Sequence, residues 1–106
     1  MNKKKQAKFD AWTKITKALA HPARLAAVDE LSRQERCVCE LAEIIGLDMS
    51  TMSRHLTQLK NVGILESSKS GTTITYRLHV KCILNFFSCV DAVLQANAKA
   101  QIDLIS

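Results

Sequence analysis

The stretch CVCELAEIIGLDMSTMSRHLTQLKNVGIL, residues 37–65, decides the fold. Leu41, Ala42 and Ile45 share one helical face, which predicts a short helix over about 38–45. Gly46 follows it and suits the left-handed conformation that closes a helix. Leu47 packs in the turn, and either Asp48 or Ser50 has the side chain to cap what comes next. Met52, Leu56, Leu59 and Val62 then recur at steps of four, three and three, a second helix that Gly63 stops. Two short helices joined by Gly46-Leu47-Asp48-Met49 make a helix-turn-helix, the unit whose second helix enters the major groove of DNA.

Outward from this unit the pattern extends both ways. Phe9, Trp12, Ile15 and Leu19 form an apolar stripe that predicts a helix over about 7–19. Pro22 suits the first position of a helix reaching about Leu31, and 32–36 reads as a polar connection. After Gly63, Ile64–Lys69 and Thr73–Leu78 are rich in β-formers and flank the turn Ser70-Gly71-Thr72, a two-stranded hairpin. A last helix runs from about Lys81 to Leu104 and is apolar on several faces, with Ile83, Leu84, Phe86, Phe87, Val90, Val93 and Leu94. So apolar a helix at the end of a small domain calls for a cover, and a second copy of the chain supplies it. The fold class is mainly α with a β-hairpin wing, in the order α-α-α-α-β-β-α. Residues 1–6 are read as a flexible basic arm and 7–106 as one DNA-binding and dimerisation domain.

Charge follows the same plan. Of the net +5, residues 1–17 contribute +5 and residues 50–81 contribute +4, around an acidic 18–49 at −3. A basic block in the folded middle suits a polyanion. The outward face of the second helix carries Ser50, Thr51, Ser53, Arg54, His55, Thr57, Gln58 and Lys60, with no acid among them. Arg54 bonds guanine or phosphate, Gln58 suits adenine, and hydroxyls reach either backbone or base edges. Lys69 with Ser70 and Thr72 at the hairpin tip, helped by Arg77, is placed to touch the flanking backbone.

At these residues the chain resembles the ArsR/SmtB regulators. The likeness covers about residues 13–80: the whole 37–65 run with Ser53-Arg54-His55-Leu56 inside it, Ala20-His21-Pro22-Ala23-Arg24 at the second helix, and Gly71 to Leu78 at the wing. It implies a winged helix-turn-helix homodimer built through the first and last helices. It also implies a repressor of metal or metalloid resistance genes, released from double-stranded operator DNA when its inducer binds.

Cys37-Val38-Cys39 matches the thiolate pair of arsenic- and cadmium-sensing members. Two thiolates favour soft ions, As(III) or Sb(III) first, then Cd(II), Pb(II), Zn(II) or Cu(I). Residues two apart on a regular helix point about 200° from each other, so one ion reaches both only if the first turn is irregular. The place at a helix start beside Arg36 predicts a lowered thiol pKa. Arsenic sensors of this type often carry a third cysteine where Ala42 stands, and cadmium sensors add cysteines from an N-terminal arm that has none here. A third sulfur would come from Cys82 or Cys89, whose other reading is small core residues. The family's zinc site on the last helix is missing, since Val80, Cys82, Val93 and Ala96 occupy its places.

Other readings are a redox or reactive-sulfur sensor using Cys82 or Cys89 as partner, and an interaction module without DNA binding. No phosphate loop or nucleophile-base pair suggests an enzyme, and no obligatory cofactor is expected. No apolar segment of signal-peptide or membrane-spanning type is seen, so the expected location is cytoplasmic, where four cysteines stay reduced.

Overall fold

The computed structural model describes residues 1–105. Five helices and three short strands follow in order: α1 Lys3–Leu19, α2 Pro22–Leu31, β1 Arg36–Cys37, α3 Val38–Ile45, α4 Met49–Asn61, β2 Leu65–Ser70, β3 Thr73–Leu78 and α5 Ile83–Ile105. The expected α-α-α-α-β-β-α order is present, with one strand added.

The helix boundaries have local causes. His21 caps α2 through its ring, with Nδ1 accepting from the Ala23 amide at 3.0 Å, and Pro22 occupies the first turn, where a missing N–H costs nothing. Gly46 closes α3 at φ 86°, a conformation in which a side chain would be strained. Asp48, not Ser50, caps α4: Oδ1 accepts from the Thr51 amide and Oδ2 from the Thr51 hydroxyl, both at 2.8 Å.

The core is small and central. Val28 of α2, Leu41 of α3, Met52, Leu56 and Leu59 of α4 and Leu65 of β2 are its largest fully buried side chains, closed by Tyr76 and Leu78 of β3. Burying one such side chain stabilises the fold by about 1.5–3 kcal/mol. The stripe that α4 shows in the sequence therefore seats the second helix of the helix-turn-helix on α2, α3 and the wing.

Three expectations are corrected. The arm at residues 1–6 is helical from Lys3, because Asn2 caps α1 by accepting from the Lys5 amide at 2.8 Å, which extends the helix through the three lysines. The connection at 32–36 ends in a strand: Arg36 and Cys37 pair antiparallel with Tyr76 and Thr75, so the sheet has the order β1-β3-β2 rather than being a bare hairpin. Two residues are too few to show alternation, which is why the period gave no sign of them. The apolar stripe of α1 is not core within one chain, since of its four members only Leu19 is buried, while Trp12 is 57% exposed.

None of the residues of α5 is buried either. Two nearly continuous apolar grooves, about 470 and 450 Å³, run between α1 and α5, the first lined by Trp12, Ile15, Leu19, Val80, Ile83 and Phe86, the second by Leu25, Phe87 and Val90 among others. The radius of gyration is 16.9 Å, against about 13 Å for a compact chain of this size. A compact body thus carries a long helix that leans on little of it.

Leu56 is 0% exposed at the centre of this core. Leu56→Ala is expected to lower unfolding free energy by about 2–5 kcal/mol, read as a lower urea midpoint at unchanged slope.

Candidate DNA-binding surface and cysteine cleft

The second helix of the helix-turn-helix, α4, turns Met52, Leu56 and Leu59 inward. Ser50, Arg54, Thr57 and Gln58 are consequently exposed on the other side, Lys60 is exposed beside the buried stripe, and Lys69 is exposed on β2. These six make one polar, acid-free surface. Thr51 and Ser53 are half-buried at its edge. Two hydroxyls are already engaged, Thr51 with its cap Asp48 and Thr57 by donating to the Ser53 carbonyl at 2.8 Å. Asp48 lies at the start of this helix. Its carboxyl is held below the usual range by the Thr51 amide, then the Thr51 hydroxyl and the charge of Arg54. The cap thereby places its negative charge against the helix amides.

Two residues expected on this surface stand elsewhere. His55 points between α4 and α2: its Nδ1 accepts from Arg24 Nε at 2.9 Å, and its ring lies 4.3 Å from that of His21. Arg24 also donates to the Ala18 carbonyl at 3.2 Å, so one guanidinium ties α4 to the end of α1. The position three after Met52 and four before Leu59 marks His55 as a shoulder of the buried stripe, a signal present in the sequence. Arg77 is paired with Glu66 across the hairpin at 2.7 Å, and Glu66 also meets His79 at 3.1 Å. The Glu66 carboxyl is held low first by Arg77. This guanidinium fastens the wing through its Nε.

The cysteine pair has a geometry of its own. Cys37 is the N-cap of α3 and lies in extended conformation at the end of β1, while Cys39 is inside the first turn. The irregularity that the helical wheel demanded is thus built in, because only one of the two residues is helical. Cys37 Sγ accepts from the Glu40 amide at 3.4 Å, and Glu40 Oε1 accepts from the Cys37 amide at 3.0 Å, a capping box with sulfur in place of a hydroxyl. Arg36 braces it, bonded to Glu40 and Glu30 at 3.0 Å each.

The expected lowering of the thiol pKa is reversed. The Cys37 thiol is held above its ordinary value, chiefly by a hydrogen bond shared with the Cys39 thiol, against the Glu40 amide that pulls it down. Arg36 does not act on it because its charge is taken up by the two glutamates. Both thiols open into a cleft of about 230 Å³ whose other walls are Val38, Met49 and Ser53 of the helix-turn-helix and Thr72, Thr73 and Ile74 of the wing.

All four cysteines are free thiols, and Cys82 and Cys89 are exposed rather than core. Cys82 lines the α1/α5 groove, and neither it nor Cys89 reaches the cleft within one chain. Among the described residues, no three His, Cys, Asp or Glu side chains are grouped to hold a metal. The cleft therefore offers a soft ion two thiol donors and no carboxylate or imidazole.

Comparison with known proteins agrees with this geometry. The profile of the family described as bacterial regulatory protein, arsR family, matches residues 21–67. The chain is 37% identical over 86 residues to the cadmium resistance transcriptional regulatory protein CadC of Listeria innocua, covering 78% of this chain and 72% of that protein. It is 38% identical over 70 residues to the transcriptional repressor SmtB of Mycobacterium tuberculosis, covering 66% of this chain and 52%, about half, of that protein. The structure of a homodimeric winged helix-turn-helix DNA-binding domain from Mycobacterium bovis superposes with a TM-score of 0.78 at 30% identity, over 94% of this chain and 93% of that one.

The His55 imidazole is pushed below its ordinary value by burial first, then by the charges of His21, Arg24 and Arg54. Below about pH 6.5 the unfolded chain takes up a proton that the folded one resists, so stability declines as pH falls from there toward the folded value. Melting temperature is expected to drop between pH 7.5 and 5.5, and the drop should shrink in His55→Asn, whose Oδ1 stands where the accepting Nδ1 does.

Proposed function

The chain belongs to the ArsR family of bacterial regulatory proteins, and on that premise we propose that it is a homodimeric transcriptional repressor that binds double-stranded operator DNA and lets go when a soft metal or metalloid occupies Cys37 and Cys39. The single observation that carries the DNA reading is the exposed polar face of α4, acid-free and set on a helix-turn-helix beside a wing. Ser50, Arg54, Gln58 and Lys60 face the major groove, and Lys69 the flanking backbone. His55 and Arg77 hold α4 and the wing in place.

The dimer rests on the bare apolar faces of α1 and α5. A single chain leaves Trp12, Phe86, Val90, Val93 and Leu94 exposed along two long helices, and joining two copies there removes this surface from water. A two-fold dimer presents its α4 helices to two successive turns of one duplex face, which calls for a palindromic operator. Among the described residues no helix is long and apolar enough to cross a membrane.

The cysteine cleft fits a thiophilic ion by its donors: two neighbouring thiols, with no oxygen cage for a hard cation. Cys37 and Cys39 would hold the ion at the first turn of α3, in a cleft walled by α4 and the wing. Because the capping box of α3 uses the same Cys37 sulfur, ligation competes with the cap and loosens the first helix of the helix-turn-helix.

Two measurements test this. Duplexes selected from a random pool should be retained in a salt-sensitive way, and Arg54→Ala should weaken retention by about 1–3 kcal/mol. Salt-insensitive retention, or a monomer by sedimentation, contradicts the DNA reading. Arsenite or Cd(II) added to the reduced protein should release the duplex, and Cys37→Ser should abolish that release. Unchanged release in Cys37→Ser removes the cleft from the mechanism.

A further inference from the structure

Met49 is the first residue of α4 and 55% exposed. A large apolar side chain at that position adds nothing to the core, which takes Met52 from the same helix. It also interrupts a surface otherwise made of hydroxyls, amide and cations. It lines the cysteine cleft instead, together with the two thiols and with Ser53 one turn later. Three of the eight residues around this space of about 230 Å³ carry sulfur, and none carries a carboxylate or an imidazole.

We infer that the Met49 thioether is a third sulfur donor beside Cys37 and Cys39, which makes the cleft a site for a soft monovalent cation, Cu(I) or its surrogate Ag(I). This rests on the reading of Cys37 and Cys39 as ligands and adds what selects among soft ions. A thioether is neutral and highly polarisable. It binds Cu(I) and Ag(I) well, and serves As(III), Cd(II) or Zn(II) poorly, since those sites are completed by anionic sulfur or by imidazole and carboxylate.

Ligation needs no redox step. Each thiol that binds gives its proton to solvent, and one M⁺ with two thiolates and one thioether carries a net charge of −1. That charge arises beside Ser53, on the helix proposed to lie against phosphates. It also ties the first turn of α4 to the first turn of α3. Both effects oppose DNA binding, one by repulsion and one by fixing the angle between the two helices.

The test uses the full-length reduced protein under anaerobic conditions. Methionine methyl groups labelled with carbon-13 report on Met1, Met49 and Met52 separately. One equivalent of Ag(I) should shift the Met49 methyl and leave that of buried Met52 in place, which also shows that the fold is intact. In competition with a chromophoric Cu(I) chelator, Met49→Leu should lower the ratio of Cu(I) to arsenite affinity on the order of tenfold, a change typical of losing one supporting ligand. An unmoved Met49 methyl with Ag(I) binding that still requires Cys37 overturns the thioether donor and leaves the cysteine reading standing. Ag(I) binding that persists unchanged in Cys37→Ser overturns both.

Discussion

The burial of one face of α4 is the constraint on which the rest depends. Met52, Leu56 and Leu59 are each fully buried, and they meet Val28, Leu41 and Leu65 from three different elements. A 13-residue helix has little stability of its own in water. Its helical state, its depth and its rotation about its axis all come from that contact. Rotation is what matters for function, because it decides which side chains reach solvent. With those three inward, Arg54 and Gln58 are outward by the geometry of 3.6 residues per turn.

Polar ties then refine what apolar burial sets roughly. Arg24 joins the Ala18 carbonyl to the His55 ring, Asp48 closes the start of α4, and Arg77 locks the hairpin through Glu66. Each is directional where the hydrophobic contact is not: the first holds α4 to α2 and the end of α1, the second fixes where α4 starts, and the third holds the two wing strands together. The same logic explains the cysteine corner. Cys37 ends β1, caps α3 and opens to a cleft walled by α4 and the wing tip. Strand, cap and cleft thus share one residue.

The α1 and α5 helices contribute in a different way. Their apolar faces are left largely uncovered, and α5, 23 residues long, has no fully buried residue and only Ile83, Leu84 and Phe87 half-buried against the core. Such a surface fits a second subunit far better than water. A domain of this size keeps a limited core, and the reading helix is seated by α2, α3, the wing and the end of α1, where Ala18 and Leu19 join the core.

The helix-turn-helix, the wing and the turn residues were legible in the sequence because each obeys a local rule. The stripe of α4 repeats at helical steps, Gly46 has the freedom a helix end needs, and β-formers flank Ser70-Gly71-Thr72. The resemblance of residues 37–65 to a known family added the cysteine pair. What the sequence did not reveal depends on contacts between segments far apart in the chain. The two-residue β1 exists only through its pairing with Tyr76 and Thr75. His55 turns inward because Arg24, 31 residues earlier, is there to donate to it. Arg77 lies against Glu66 through the hairpin register, and Arg36 is drawn from the thiols by Glu30 and Glu40. Periodicity tells which way a side chain faces, and only the fold decides which partner waits there.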